Sequence, residues 1–259
     1  MSRGGSVLLC VDIGNTSIVL GLYKDDSLIE SFRIQTNIYQ TADEYGIKIL
    51  SILDKLNFKK EKIDGIMISS VVPQLDTTFK LLSKKYFNLD SKFVGPGIKS
   101  GINIRIDNPK ELGADLLVGA VGAVNKYGAP VIVVDMGTAT TLFYINDKCE
   151  FLGGMILPGI KTSFNALFQK ASKLEEVAIS TPKNVICKDT VGCLQSGMTY
   201  GMASMIDGAI RKMKEEAGNS KVIITGGEAR YINSVLEEEV IYDENLLLDG
   251  LKILYNKNK

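Results

Sequence analysis

The chain has 259 residues, of which 45% are hydrophobic, so it can bury either one large core or two smaller ones. Its 30 basic and 30 acidic residues cancel, which gives no electrostatic support for nucleic acid or an anionic membrane as a partner. The sequence has no histidine and its 4 cysteines lack CxxC spacing, which excludes a Ser-His-Asp triad and argues against a structural zinc site.

The first predicted element is a buried strand from Val7 to Ile13 that ends in a tight polar turn. The strand carries Asp12 near its end, and the turn that follows has the sequence Gly14-Asn15-Thr16-Ser17. Glycine has no Cβ, so the backbone N–H groups of such a turn can approach an anion, and a neighbouring carboxylate can organise a hydrated cation. Taken alone, the motif is typical either of a phosphate-binding hairpin or of an ordinary hairpin with an acidic turn residue.

Three strands, a helix, a strand and a second helix are predicted for the first third of the chain. The third strand covers residues 27–34, and Thr41 with Glu44 forms the capping-box pattern that opens the first helix. A buried strand follows at residues 63–72, and apolar residues at helical spacing from Leu75 onward predict the second helix. This order is typical of an α/β layer with helices on both faces of a sheet.

A glycine-rich connector and an acidic helix start come next. Residues 95–101 lack the strand-loop-helix frame of a phosphate loop, and the chain has no GxGxxG motif. Asn108 and Pro109 predict a helix N-terminus, which places Asp115 early in that helix, where charge–dipole attraction alone could explain an aspartate. Gly113 weakens that explanation, since a glycine inside a helix costs about 1 kcal/mol relative to alanine and indicates the close approach of another group.

The second half repeats the first motif at residues 131–141, with an apolar strand, Asp135, one apolar residue, Gly137 and a polar turn. In both copies a second strand and a second acidic turn follow at nearly the same spacing, as in antiparallel hairpins. The two copies lie almost half the chain apart, and the repeat is far more specific than either copy. It predicts two similar α/β subdomains, residues 1–118 and 119–259, that face each other across a nucleotide.

The remaining elements are predicted from apolar spacing and breaks. They are a helical face at residues 164–174, a loop at 183–190, a long helix from Val191 or Gly192 to about Lys214, a strand at 221–225 and helices near 231–237 and 245–255. Gly226-Gly227 after the strand forms either a platform for a flat ring or a plain strand-to-helix turn. No apolar run approaches the roughly 20 residues needed to span a bilayer, and no signal-peptide pattern is evident, so a cytoplasmic protein is expected.

These motifs, taken in order, resemble the type III pantothenate kinase family, which belongs to the superfamily of acetate kinase, sugar kinases, Hsp70 and actin. The resemblance extends from near the N-terminus to about Gly227. The matching segments are Asp12–Thr16, Ile68–Pro73, Gly113–Asp115, Asp135–Thr141, Gly153-Gly154 with Pro158-Gly159, and Asp189-Thr190 before Gln195–Gly197.

The resemblance implies a duplicated actin-like (ribonuclease H-like) fold, each half a mixed sheet flanked by helices, with a nucleotide cleft between the halves. It implies ATP-dependent phosphorylation of pantothenate to 4′-phosphopantothenate, the first step of coenzyme A biosynthesis, by a homodimer. The residues implied to bind ATP are Asp12, Ile13, Gly14, Asn15, Thr16, Ser17 and Thr138, with Asp12 also serving Mg²⁺. Asp115 is implied to accept the hydroxyl proton, and Asp135 to help bind a required monovalent cation, K⁺ or NH₄⁺. The residues implied to bind pantothenate are Gly113, Ala114, Asp115, Leu116 and Thr190.

Two departures from the family pattern fall on the substrate side. Many members have Arg where this chain has Leu116, and Tyr where it has Ile106; leucine cannot offer a carboxylate the forked donors of arginine. Lys99 and Arg105 are candidate replacements for that cation. Two alternative functions therefore stay open: a non-catalytic sensor that binds nucleotide or pantothenate, and a kinase for another small hydroxyl acceptor on the same fold.

Overall fold

The computed structural model describes residues 6–259, which form two compact units. The first contains the described residues up to Gly101, then Lys110–Gly122 and Leu247–Lys259, and the second contains Ile102–Pro109 and Ala123–Leu246. The predicted division at residue 118 stays a prediction about domains; it differs from this clustering by assigning the C-terminal helix to the second half. Residues 1–5 of the first predicted domain lie outside the described residues.

The first unit is built on a mixed sheet of five strands in the order β3-β2-β1-β4-β5. The strands are β1 (Val7–Ile13), β2 (Ser17–Lys24), β3 (Ser27–Gln35), β4 (Ile63–Ser70) and β5 (Lys92–Phe93). β1, β2 and β3 pair antiparallel, and β4 and β5 continue from β1 in parallel. The predicted first three strands are thus confirmed as a meander.

The second unit repeats this arrangement in a sheet of six strands with the order β11-β10-β7-β8-β9-β6. The strands are β6 (Asn103–Ile104), β7 (Val131–Met136), β8 (Ala139–Ile145), β9 (Glu150–Pro158), β10 (Lys221–Thr225) and β11 (Ile241–Tyr242). β7, β8 and β9 form the antiparallel meander, and β10 and β11 continue from β7 in parallel. Apart from the added β6, the order of pairing matches the first sheet, so the predicted duplication within an α/β fold is confirmed.

Seven α-helices accompany the two sheets in the part of the chain that is described. They are α1 (Ala42–Lys55), α2 (Pro73–Phe87), α3 (Ala114–Tyr127), α4 (Ile160–Lys170), α5 (Thr190–Ser196), α6 (Met202–Ala217) and α7 (Leu246–Lys257). A π-helical turn at Gly197–Gly201 joins α5 to α6, so the predicted long helix is one helical run with a local widening. The predicted capping box is confirmed at α1, where Glu44 N–H donates to Thr41 Oγ1 and Thr41 N–H donates to Glu44 Oε2. Across residues 6–259, no helix combines the length and the apolar character that crossing a membrane requires.

Three helix predictions are wrong in their boundaries or existence. The helix predicted from the apolar face at residues 164–174 is α4, which begins earlier, at Ile160, and ends at Lys170. Pro109–Glu111 forms only a short 3-10 turn, and α3 begins at Ala114, so Gly113 precedes the helix instead of lying inside it. The segment near 231–237 holds no α-helix: a 3-10 turn at Ala229–Tyr231 is followed by further turns, such as that closed by the Val235 N–H and Ile232 O. At the end of the segment the N–H groups of Glu237 and Glu238 donate to the buried Asp207 carboxylate.

The strands that carry Asp12 and Asp135 are oriented in the same way in the two sheets. In β1, Val11 and Ile13 belong to the core cluster that also contains residues of α1 and α2. In β7, Val134 and Met136 belong to the core cluster that contains residues of α4 and α6. Side chains alternate along a strand, so Asp12 and Asp135 each face the side of their sheet opposite this cluster.

Candidate functional site

The first polar turn joins β1 to β2 through Gly14, Asn15 and Thr16. Gly14 N–H donates to Ser17 O at 3.1 Å, and a Cβ on Gly14 would lie 3.1 Å from the same oxygen, so the turn is already tight there. Thr36 holds the turn from β3: its N–H donates to Thr16 O at 3.1 Å and its hydroxyl donates to Gly14 O at 2.6 Å. Asn15 and Thr16 are exposed at the surface of this fixed turn.

Asp12 lies on the side of the first sheet that is covered by α7. The neighbouring outward residue Cys10 is buried there, and the Asp249 charge on α7 adds to burial in raising the pKa of its thiol. In register beside Asp12 on β4 is Ser69, whose hydroxyl is buried and has no hydrogen-bond partner within residues 6–259. The Asp12 carboxylate thus lies next to the unsatisfied Ser69 hydroxyl, and the two groups offer oxygen ligands for a metal ion at the edge of the turn.

Helix α3 reaches the same side of this sheet through α7. A Cβ on Gly250 of α7 would overlap the Val118 carbonyl oxygen of α3, and a Cβ on Gly21 of β2 would lie 2.9 Å from the Leu248 side chain of α7. The sheet, α7 and α3 are therefore in successive contact. Asp115 lies in the first turn of α3, about one helical turn before Val118, the residue that packs on α7.

The Asp115 carboxylate is partly buried in the first turn of α3. Burial raises the pKa of Asp115 above the ordinary aspartate value, while the backbone N–H of Leu116, which donates to Oδ1 at 2.8 Å, acts in the opposite direction. A Cβ on Gly113 would overlap that Oδ1 atom. The close approach expected at Gly113 is therefore made by the carboxylate of Asp115. A desolvated carboxylate with a raised pKa is suited to accept a proton.

Replacing Gly113 by alanine is expected to lower kcat by about tenfold to a hundredfold, because the added methyl displaces the Asp115 carboxylate from its position. The unfolding temperature should change little, since the displaced atom is the end of a side chain. Steady-state kinetics and thermal unfolding test this. Gly208→Ala is the matched control: no heavy atom lies within 4 Å of its new Cβ, so activity should be unchanged. A Gly113→Ala enzyme with wild-type kcat would contradict the role given to this glycine.

The second polar turn, Gly137-Thr138, joins β7 to β8 in the second unit. Gly137 N–H donates to Ala139 O at 3.0 Å. The Thr138 carbonyl oxygen accepts two hydrogen bonds from the start of α4, one from Gly159 N–H at 3.0 Å and one from the Thr162 hydroxyl at 2.7 Å. A Cβ on Gly159 would overlap the Gly137 carbonyl oxygen, so α4 approaches this turn as closely as a glycine permits.

Asp135 lies one residue before the end of β7, between Thr141 of β8 and Thr225 of β10 in register. Gly226, which follows β10, has a φ of +93° and packs directly against this carboxylate. A Cβ there would lie 2.6 Å from Asp135 Oδ1 and 2.5 Å from Met136 N. The glycine at this position therefore provides both the left-handed backbone and the space beside Asp135.

Thr190 is the first residue of α5 and is exposed. The helix is capped by Asp189, whose Oδ1 accepts the Gly192 N–H at 2.9 Å. Arg105, a candidate replacement for the missing arginine, is already paired with Glu150 in the second unit, its Nε lying 3.1 Å from Oε1. Lys99 is exposed in the connector.

Thr36, Thr162 and the side chain of Glu228 each contribute to holding one of the two turns, and none of them was predicted from the sequence. Their partners are distant along the chain, so no local spacing marks them. Among residues 6–259, no three or more His, Cys, Asp or Glu side chains are grouped so that they could hold a metal ion.

The duplicated mixed sheets and paired hairpins define an actin-like α/β fold. ATP-glucomannokinase from Arthrobacter sp. strain KM is a structural neighbour with a TM-score of 0.52 and 14% identity, covering 98% of this chain and 100% of that one. Component A of (R)-2-hydroxyglutaryl-CoA dehydratase from Acidaminococcus fermentans has a TM-score of 0.57 and 15% identity over 98% and 100% of the two chains. At these identities the likeness shows the fold alone.

The sequence comparisons are more specific. The sequence profile of type III pantothenate kinase matches residues 8–212. A type III pantothenate kinase from Exiguobacterium sp. strain AT1b is 44% identical over 253 residues, covering 98% of this chain and 100% of that protein. Another, from Halalkalibacterium halodurans, is 45% identical over 253 residues, covering 97% and 100%. The chain belongs to the type III pantothenate kinase family.

Proposed function

We propose that this protein transfers the γ-phosphoryl group of ATP to the terminal hydroxyl of pantothenate, forming 4′-phosphopantothenate for coenzyme A biosynthesis. Membership of the family supports the reaction, and one structural observation supports the mechanism. Asp115 presents a partly buried carboxylate of raised pKa at the start of α3, the helix that packs on α7 on the Asp12 side of the first sheet. A proton acceptor and a phosphate-type turn are the two parts that this reaction requires.

In the proposed mechanism, residues 12–17 and Thr138 bind ATP. The tight turn between β1 and β2 offers backbone N–H groups and the short side chains of Asn15 and Thr16 to phosphate oxygens. Protein-bound Mg²⁺ usually keeps several waters and takes only one or two carboxylates besides the phosphates. Asp12, with the unsatisfied Ser69 hydroxyl beside it, fits that donor set. The ion would neutralise phosphate charge during transfer.

Asp115 orients the attacking hydroxyl and accepts its proton. An alcohol is a weak acid, so the proton moves late, after the new bond to phosphorus has begun to form. Gly113, Ala114, Leu116 and Thr190 complete the proposed acceptor site. The carboxylate of pantothenate then receives no forked donor from position 116, and the structure offers no explanation for the leucine there.

Asp135 is proposed to help hold a monovalent cation, K⁺ or NH₄⁺, for which carboxylate and carbonyl oxygens are suitable donors. The enzyme is proposed to act as a cytoplasmic homodimer. Leu152 and Ile156 of β9 are 46% and 77% exposed and offer apolar surface that a second copy would cover.

The test is to incubate the purified protein with Mg-ATP and pantothenate, with and without K⁺, and to detect 4′-phosphopantothenate by mass. We expect product that depends on the monovalent cation. Product that forms equally well without K⁺ would support the kinase activity but contradict the proposed role of Asp135 in binding a cation. ATP binding without product would contradict the proposed reaction, and turnover on another hydroxyl acceptor would then indicate a different kinase of the same fold.

A further inference from the structure

Glu228 occupies a position between the second polar turn and the first turn of α4. It follows Gly226-Gly227 at the end of β10 and is buried. Its backbone N–H donates to Met136 O at 3.0 Å, at the end of β7. Its carboxylate reaches the other way: Oε2 accepts the Ile160 N–H at 2.6 Å, and Oε1 accepts the Lys161 N–H at 3.4 Å.

These contacts supply α4 with the cap that its own sequence lacks. The residue at the N-cap position is Gly159, which has no side chain to accept the first free N–H groups of the helix. Burial raises the pKa of the Glu228 carboxyl group, while the hydrogen bonds from the Ile160 and Lys161 N–H groups act in the opposite direction. The carboxyl oxygens satisfy these two donors at the positive end of the helix dipole. The helix start is therefore fixed by a residue some seventy positions further along the chain.

The helix start in turn holds Thr138. Gly159 N–H and the Thr162 hydroxyl both donate to the Thr138 carbonyl oxygen, and Gly159 packs directly on Gly137. The contacts close a ring from the end of β7 through the turn, the start of α4 and Glu228 back to β7. Glu228 is thus connected to Thr138 through the start of α4, which contacts the turn by two hydrogen bonds and a backbone contact.

We propose that Glu228 is a positioning residue for ATP: it fixes the first turn of α4 and thereby the Gly137-Thr138 turn in the geometry that binds nucleotide. The inference rests on the proposed function, in which Thr138 contacts ATP. It assigns the residue no contact with substrate. Glu228 thus acts on nucleotide affinity and leaves acceptor affinity unchanged.

The experiment measures the Kd of Mg-ATP by calorimetry, the KM of pantothenate and the unfolding temperature for Glu228→Gln. The amide keeps the side-chain shape but loses the charge and one acceptor, so we expect Kd for ATP to rise about tenfold with the KM of pantothenate unchanged. Glu44→Gln is the matched control, because Glu44 also accepts a backbone N–H at a helix start, that of Thr41 at 2.7 Å. It should lower the unfolding temperature without changing Kd.

A second variant covers the case in which Glu228→Gln fails to fold. Thr162→Val removes the hydroxyl that holds Thr138 and lies on an exposed position, so the fold should be retained. Thr162→Val should also raise the Kd of ATP. The Kd of the double variant should be no higher than that of the more affected single variant, because both substitutions act through one turn. Unchanged Kd in either folded single variant, or additive effects in the double, would overturn the proposal.

Failure of the positioning role is distinguishable from failure of the kinase assignment. The wild-type protein alone tests for phosphopantothenate, whereas the variants are compared by ATP binding without turnover. A wild-type protein that binds ATP but makes no product would contradict the kinase and leave the binding comparison intact.

Discussion

Replacing Asp115 by asparagine is expected to lower kcat by about 10²- to 10⁴-fold while ATP binding is retained, since the variant loses its proton acceptor and none of the residues proposed to bind phosphate. The amide still accepts the Leu116 N–H that the carboxylate accepts now. Kinetics with pantothenate and calorimetry with Mg-ATP measure the two effects separately. The matched control is Asp54→Asn, an exposed aspartate on α1, which should leave both quantities at wild-type values.

The stability of the Asp115→Asn protein provides an independent check on the role of Asp115. Burial holds the pKa of Asp115 above its value in the unfolded chain, so the charged form is disfavoured by folding. Raising the pH through the pKa of Asp115 therefore costs stability, and the Asp115→Asn protein should unfold at a temperature no lower than the wild type at neutral pH. The same raised pKa should place the acid limb of kcat/KM above the pH at which an ordinary aspartate titrates. An inactive variant that is also strongly destabilised would point to a structural role instead.

Replacing Gly226 by alanine is expected to have the largest effect on stability. A left-handed φ costs a residue with a Cβ about 1–2 kcal/mol, and overpacking against backbone and the Asp135 carboxylate adds about 1–3 kcal/mol. The crowded atoms include Met136 N at 2.5 Å, which cannot move without disturbing the end of β7. Urea unfolding of wild type and variant measures the sum.

Gly128→Ala separates the two terms of this prediction. Gly128, which follows α3, also has a positive φ, +82°, but a Cβ there would have no heavy atom within 4 Å. This control substitution should lower the free energy of unfolding only by the cost of the positive φ. Equal destabilisation of the two variants would show that crowding at Asp135 contributes nothing, contrary to the packing described for this site.

The repeated hairpins were the most informative feature of the sequence. Their Asp-apolar-Gly order fixed β1 with β2 and β7 with β8, because a buried strand, a required glycine and a polar turn leave little freedom over such a short span. The capping box at Thr41 was equally local and is confirmed. These features depend on residues close together in the chain, which a sequence displays directly.

The errors have both distant and local origins. Apolar spacing near residues 231–237 suggested a helix, but the chain there forms turns and its end is held by the distant Asp207 carboxylate, which accepts the N–H groups of Glu237 and Glu238. The helix expected from Pro109 starts only at Ala114, and there the contact is local, since the Asp115 carboxylate occupies the space beside Gly113. The contacts that Thr36, Thr162 and Glu228 make to hold the two turns were not predicted, because their partners are distant along the chain. The roles of Asp115, Asp135 and Thr190 remain predictions, for which the structure supplies positions and contacts.

The central claim is that the Asp115 carboxylate catalyses phosphoryl transfer to pantothenate by accepting the proton of the attacking hydroxyl. The most direct measurement is the amount of 4′-phosphopantothenate and of ADP formed by the wild-type and Asp115→Asn proteins under identical conditions with Mg-ATP and K⁺. We predict equal amounts of the two products from the wild type and almost none of either from the variant. ADP without phosphopantothenate from the wild type, or phosphopantothenate from the variant at a near-normal rate, would contradict this account.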